Sequence, residues 1–458
     1  MKIKILIRRV LPGVALLALF AAKAGAQEVR KLTLPDAIRY ALENYTSARK
    51  AKLDLENAGY QIDEVRAKAL PQVSGSGALN YNPLLQLSAL PGELNPTNPG
   101  QTLLVAFGQK WNSNIGVSAT QAIFDQSVFT GLKAAKTTRE FYQLNSQLTE
   151  ENIIEQVAVT YYNVLVQRQQ ISDVDSNIAS TTRSRTIIAG LFESGLGKEI
   201  DVDRTDVQLS NLRSQRQQLL NTVVQYENQL KFYIGMPISA PIEVPDMETA
   251  EMTVNAAELS DTINSRTRTE YRVLAKQADL LRLQKQNVKA AYYPSLSFSG
   301  SYNYQGLSDK FPIAGGKSGG ANWFDVGTVG LNLKIPLFNG NATRARVRQA
   351  EIEIKQLEED IRNTNLNIDL ENENARTQIR NSLIVLGNQE RNVKLAEKVM
   401  NNTQNNFNEG LAPLTDLIES QNQLATSRNS YTAALLDYKL AEISLIKSKG
   451  QLKTLINK

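Results

Sequence analysis

Two kinds of hydrophobic pattern alternate along this chain. From Leu132 to Ala189 apolar residues fall at helical spacing, with Ile153, Ile154, Val157, Tyr161, Val164 and Leu165 on one narrow stripe. Neither proline nor glycine interrupts that span, which as one helix would be about 90 Å long. Its flanks are polar, as in QLNSQLTEEN and DVDSNIASTTRS. A narrow seam with polar flanks is the pattern of coiled-coil packing. A second helical run extends from Asn341 to Glu409 with no proline and one glycine, Gly387. Both runs stop at a short turn and resume at once, at FESGLGKEIDV (192–202) and FNEGLAPLTDL (407–417).

Between the helical runs the period changes to two. Over 328–337, Val329, Leu331, Leu333, Ile335 and Leu337 alternate with Thr328, Gly330, Asn332 and Lys334. Over 295–304, Leu296, Phe298, Tyr302 and Tyr304 oppose Ser295, Ser297, Ser299 and Ser301, and 72–81 and 114–123 repeat the pattern more weakly. Each run has roughly ten residues, the length of a tilted strand crossing a bilayer. Alternation of this kind also fits a soluble antiparallel sheet. Two features favour the membrane. Trp111, Tyr292, Tyr293 and Trp323 sit at strand ends, where interfacial aromatic girdles lie. The connections 83–110 and 306–322 are long and rich in glycine and proline, as the outer loops of membrane barrels are.

The chain repeats itself with a period near half its length. ALPQVSGSGALNY (69–81) matches YYPSLSFSGSYNY (292–304), NIGVSATQAIFDQ (114–126) matches TVGLNLKIPLFNG (328–340), and Gly195 matches Gly410. The predicted organisation is a signal peptide at 1–26, a first structural repeat at 27–236, a linker at 237–256 and a second repeat at 257–458. Each repeat reads helix, two strands, very long helix, turn and shorter return helix, the return helices at about 200–234 and 415–456 being some 60–65 per cent as long as the descending ones. Single helices at 35–68 and 257–291 complete the climb. Four strands cannot close a barrel, and open edges are not tolerated in lipid. Copies must pool strands: two give eight and a filled lumen, three give twelve and some bore. Glycine and serine on the inner faces favour three.

Composition narrows the chemistry. MKIKILIRR, the apolar VLPGVALLALFAA and Ala24-Gly25-Ala26 form a secretory signal, which predicts export. Removing its five cations takes 51 Lys+Arg to 46 against 46 Asp+Glu, so the mature charge is about zero and gives no reason to expect nucleic acid. The chain has no cysteine and no histidine. Thiolate chemistry is excluded, and the commonest metal ligand and general base is missing. No enzyme, cofactor or metal site is expected.

Six elements carry a resemblance to a known family: LTLPDAIRYALENY near the start, the P-Q-V-S and P-S-L-S strand openings, GLNLKIPLFNG, and both F-x-x-G-L turns. In this order the chain resembles the TolC-type outer-membrane efflux family over essentially the whole mature sequence. The resemblance implies a mainly α fold with membrane β, four strands per chain in a trimeric twelve-stranded barrel continued by a periplasmic barrel of coiled-coil helices. It implies a homotrimer in the outer membrane of a Gram-negative bacterium, reaching into the periplasm. Its partners would be outer-membrane lipid, a periplasmic adaptor and an inner-membrane pump of RND or ABC type. It implies an export channel of a tripartite efflux or type I secretion system, gated like an iris at the helical tips. By motif position, Asp201, Asp416 and Glu419 fall at the gate. Asp416-x-x-Glu419 also reads as a helix capping box. The family's gate arginine is Ala412 here, and its frequent tyrosine is Phe407. Gly195, Leu196, Gly410 and Leu411 are the candidates for adaptor contact, although helix capping accounts for the glycines equally. A periplasmic adaptor or a coiled-coil scaffold is the alternative, and neither explains paired strands with aromatic ends.

Overall fold

The computed structural model describes residues 30–94, 96–98, 100–245, 264–311 and 321–457. The predicted signal peptide lies outside these residues, as do 246–263 of the linker and following helix and 312–320 of the second long loop. The described chain divides into two compact units. One takes the residues up to Leu53, Leu144–Arg272 and Asn363 onwards, and the other takes Asp54–Gln143 and Val273–Arg362.

The long helices form as the pattern predicts. α3 (Gln126–Glu193) has 68 residues and α6 (Ala342–Asn408) has 67, and each contributes to both units. The return helices α4 (Glu199–Ile234) and α7 (Leu414–Ser448) have 36 and 35 residues, about half the length of their partners; α4 has its expected bounds, whereas α7 stops short of the expected 456. Each return helix stops at a left-handed glycine, Gly235 at φ 73° or Gly450 at φ 69°. The expected single helix at 35–68 is two, α1 (Leu34–Asn44) and α2 (Thr46–Ala67). They part at Tyr45, whose backbone is extended and whose ring meets Phe232 and Tyr233 edge-on at 6.0 and 6.3 Å. Gly235 makes that approach possible, since an added Cβ would fall 2.7 Å from the Asn44 backbone. Thr33 caps α1 by accepting from the Asp36 amide at 3.3 Å, with Pro35 in the first turn.

The sequence stripe on α3 is the centre of the first unit's core. Ile153, Ile154, Val157, Tyr161, Val164 and Leu165 are buried against Leu32, Ile38, Leu230, Ile234 and Leu455. The Tyr161 hydroxyl donates to the Leu32 carbonyl at 3.1 Å, and burial pushes that phenol up to about 12. A short parallel pair, β1 (Arg30–Lys31) with β6 (Ile242–Glu243), ties the start of the described chain to the linker.

On the second repeat's side, α5 (Thr269–Ala290) is preceded by a tight turn and by Arg268, which is 2% exposed. The Arg268 guanidinium donates to Glu270 at 2.7 and 3.2 Å and to the Ser448 carbonyl at 3.0 Å, so a buried cation closes the C-terminus of α7. Burial pushes the Glu270 carboxyl up, but hydrogen bonds from Arg268 and its own amide, with the charges of Arg268 and Lys447, outweigh that and hold it below the usual range.

The second unit holds an antiparallel sheet in the order β2–β5–β7–β8. Its strands are β2 (Gln72–Tyr81), β5 (Trp111–Phe124), β7 (Ser295–Ser308) and β8 (Asn322–Lys334). The loop expected at 83–110 contains a further hairpin, β3 (Leu87–Leu90) with β4 (Leu103–Ala106). β8 begins earlier than predicted and ends at Lys334, so Ile335 and Leu337 lie beyond the sheet. Pro336 has no N–H to give the ladder, which accounts for the stop. No helix among the described residues is both long and apolar enough to cross a membrane.

Replacing Arg268 by Met leaves Glu270 without its partner and should cost about 3 kcal/mol at neutral pH in urea denaturation. The pair's contribution is complete above the unfolded carboxyl pKa and fades as pH falls through the lowered folded value. The difference between wild type and Arg268→Met should therefore narrow in acid.

Candidate functional site

Two places gather the predicted residues, the hairpin tips and the sheet. Both tips close in the same way. At the first, the Gly195 amide donates to the Phe192 carbonyl at 2.9 Å and the Leu196 amide to the Leu191 carbonyl at 2.8 Å. At the second, Gly410 donates to Phe407 at 3.0 Å and Leu411 to Asn406 at 2.7 Å. These are the two bonds of a Schellman cap, and both glycines take φ 74°. Leu196 and Leu411 follow the glycines and are 80% and 78% exposed, so neither folds back onto its helix.

The two tips share a small apolar cluster. Ile188, Leu414 and Leu417 are buried there, with Val202, Phe407 and Ile418 packed against them. This brings Asp201 and Asp416 onto neighbouring helix starts, each beside a residue of the cluster. Asp416 and Glu419 are exposed. The capping box expected at Asp416-x-x-Glu419 does not form, because α7 is capped at Pro413 and Asp416 already lies in its first turn. Asp201 sits 3.8 Å from Arg204, a turn further along α4. Ala412 offers only its amide, which donates to Asn406 at 3.3 Å.

Polar contacts join the two hairpins, and the sequence did not point to them. Gln421 donates to Ser184 at 3.2 Å and to Ser180 at 3.4 Å, and Gln208 donates to Asn422 at 2.8 Å. Further along, Thr432 donates to Asp173 at 3.3 Å. Burial pushes the Asp173 carboxyl up despite hydrogen bonds from Gln169 and Thr432. Ser180, Gln208, Gln421 and Asn422 border a cavity of about 250 Å³ that Thr181 and Arg428 also line. Within the first hairpin, Arg185 grips Asp206 with both nitrogens at 3.0 and 3.1 Å, and Arg216 grips Asp175 at 2.5 and 3.3 Å. The one available signal was an unusual density of Ser, Thr, Asn and Gln on helices that must pack.

The sheet separates its chemistry by face. Cross-strand partners share a face, so Val73, Ala119 and Gly300 align with Val329, and Phe298 aligns with Leu331. Val73, Ile115, Val329 and Leu331 on this face are all exposed. The other face carries a hydroxyl and amide ladder, with Ser74 and Ser118 at 2.9 Å and Asn332 donating to Ser299 at 2.9 Å. Lys334 pairs with Ser295 on this polar face. The expectation that glycine marks the polar face fails for most of the sheet's glycines. Gly116 and Gly330 lie there, whereas Gly75, Gly77, Gly300, Gly306 and Gly327 share the apolar face. There the gaps admit rings, and Trp323 lies over Gly306 and stacks on Tyr304 at 4.8 Å.

The aromatic residues mark both ends of the sheet. Trp111 pairs with Tyr81 at 4.6 Å and meets Phe311 edge-on at 5.0 Å, at the end that also holds Trp323. Tyr292 and Tyr293 precede β7 at the opposite end and are both exposed. Among the described residues each of β2 and β8 has one neighbour only, which leaves two unpaired edges.

Against known proteins, the family model for the outer membrane efflux protein matches residues 37–236 and 267–451. The outer membrane protein TolC of Vibrio cholerae is 22% identical over 341 residues, 74% of this chain and 76% of that protein. The alkaline protease secretion protein AprF of Pseudomonas aeruginosa is 23% identical over 342 residues, 70% of this chain and 66% of that protein. Among solved structures, the outer membrane protein VceC of Vibrio cholerae gives a TM-score of 0.69 at 15% identity, covering 91% of this chain and 96% of its own. The CmeC outer membrane channel of Campylobacter jejuni gives 0.70 at 15% identity, with 93% and 90% covered.

Because Gly195 and Gly410 occupy the left-handed region, alanine at either should cost about 1 kcal/mol or more. Thermal unfolding of Gly195→Ala and Gly410→Ala, compared with Gly387→Ala in mid-helix, should show loss at the tips and none at 387.

Proposed function

The chain belongs to the outer membrane efflux protein family, and on that footing we propose that three copies form one export channel, each giving four strands to a twelve-stranded barrel. The sheet carries this reading. Its exposed apolar face suits lipid, its hydroxyl and amide face suits a wet lumen, and its two unpaired edges demand neighbours. Eight strands from two copies would leave a lumen filled by side chains, whereas twelve leave a bore. Trp111 and Trp323 anchor one membrane interface and Tyr292 and Tyr293 the other.

In this reading the channel serves a tripartite efflux or type I secretion system and performs no chemistry of its own. An adaptor and an inner-membrane pump supply cargo and energy. Residues 27–236 and 257–458 act as two structural repeats joined at 237–256, supported by the matched left-handed glycines at 195 and 410 and at 235 and 450.

The tips carry the gate. Asp416 and Glu419 are exposed, and rings of three carboxylates from three copies would bind cations at a constriction. Asp201 contributes less charge there because Arg204 stands beside it. The polar links of Gln421 and Gln208 hold the hairpins together. Leu196 and Leu411, exposed beyond rigid caps, are the adaptor contacts.

Heat-modifiable trimer migration from membrane fractions is the first check, and a freely soluble monomer would end this reading. In planar bilayers, Asp416→Ala with Glu419→Ala should weaken divalent-cation block roughly tenfold, the equivalent of ~1.4 kcal/mol; unchanged block removes the gate assignment. Leu196→Ser with Leu411→Ser should reduce cross-linking to the adaptor while leaving thermal stability unaltered.

A further inference from the structure

The end of the sheet marked by Tyr292 and Tyr293 has a second feature that the channel reading does not use. Phe129 and Phe338 are exposed there beside the two tyrosines. Cations follow at once. Between the end of β8 and Glu351 lie Arg344, Arg346 and Arg348 and no acidic residue. After β5 comes one acid, Asp125, and then Lys133 and Lys136 on α3, while the stretch of 280–294 leading into β7 has no acid and Lys289 as its last cation. All six are exposed.

The arginines are placed against local electrostatics. They occupy the first two turns of α6, whose N-terminus favours acids, and α6 has none in its first turn. None of the three has an ion pair or side-chain hydrogen bond among the described residues. A helix start that gains nothing from three cations, repeated by two neighbouring segments at the same sheet end, fits an anionic surface outside the chain. Arg348 is six residues into α6, so the three lie within about 10 Å of its start. That depth, just past an aromatic girdle, is where lipid phosphates lie.

We infer that this basic collar binds the anionic headgroups of phospholipids in the periplasmic leaflet, and so fixes the depth of the barrel in the membrane. The inference rests on the membrane-facing reading of the sheet given above. Phosphate oxygens accept from guanidinium in two parallel bonds, which suits Arg344 and Arg348, one turn apart on the same helical face.

The test uses the whole purified channel, reconstituted in vesicles of phosphatidylcholine alone or with about a quarter phosphatidylglycerol. Native mass spectrometry of the extracted protein should find phosphatidylglycerol retained several-fold over its share of the vesicle. Raising salt from about 0.1 to 1 M, where the Debye length falls from about 10 to 3 Å, should abolish the preference. R344Q/R346Q/R348Q should lose it, and R344K/R346K/R348K should keep most of it. No preference in wild type, or one indifferent to both salt and the glutamine variant, overturns the inference. So does a glutamine variant that keeps the lipid preference but shifts the reversal potential, since its arginines would then line the bore. Should the glutamine variant fail to assemble, the wild-type salt series and the lysine variant decide alone. Loss of trimer and current in wild type would instead strike the channel reading.

Discussion

Unpaired backbone in hydrocarbon is the constraint from which the rest of this structure follows. Both edges of the sheet end in N–H and C=O groups with no partner strand among the described residues. Water would satisfy them, but lipid does not, at several kcal/mol for each group. The apolar face makes water the wrong surroundings, and the edges make isolated existence in lipid impossible. Assembly is therefore a condition of the fold, and the hydroxyl ladder on the other face is what the assembled wall encloses.

The helical part solves a different problem. Helices of 68 and 67 residues need lateral contacts along their whole length. Apolar packing is concentrated in clusters, around Ile154 and Val157, around Ile379 and Leu435, and at the tips around Leu417. Between the clusters, polar bonds such as those of Gln421, Gln208 and Arg185 set the register. Such contacts exchange readily with water and contribute modestly. A seam built this way is specific in alignment yet inexpensive to open.

Much of this was legible in the sequence because it is local. The stripe from Ile153 to Leu165, the alternation in β7 and the two Gly-Leu turns each declare themselves within a dozen residues. What escaped was decided at a distance. Tyr45 breaks its helix because Phe232, Tyr233 and Gly235 await it from the far side of the core, and no pattern near Tyr45 foretells that. Arg268 reads as one basic residue among several until Ser448 and Glu270 are seen around it. The hairpin within 83–110 hid behind prolines and glycines that suggested irregular loop. At the tips the pattern gave the turn and the acids, but not the polar bonds, whose partners lie more than two hundred residues apart. The glycines of the apolar face misled for another reason: alternation reports polarity, and glycine has none to report.

The two left-handed glycines that end the return helices meet unlike neighbours. Gly235 lies against the backbone beside an aromatic cluster, whereas a Cβ added at Gly450 would lie 3.4 Å from the aliphatic stem of a buried arginine. The two return helices thus share one backbone bend with different glue beneath it, oil in one and charge in the other. A ring built from three such chains is sixfold only in outline. Its joints alternate in kind, so cooling, which weakens apolar contact, and acid, which takes the charge from Glu270, would each loosen a different set of three.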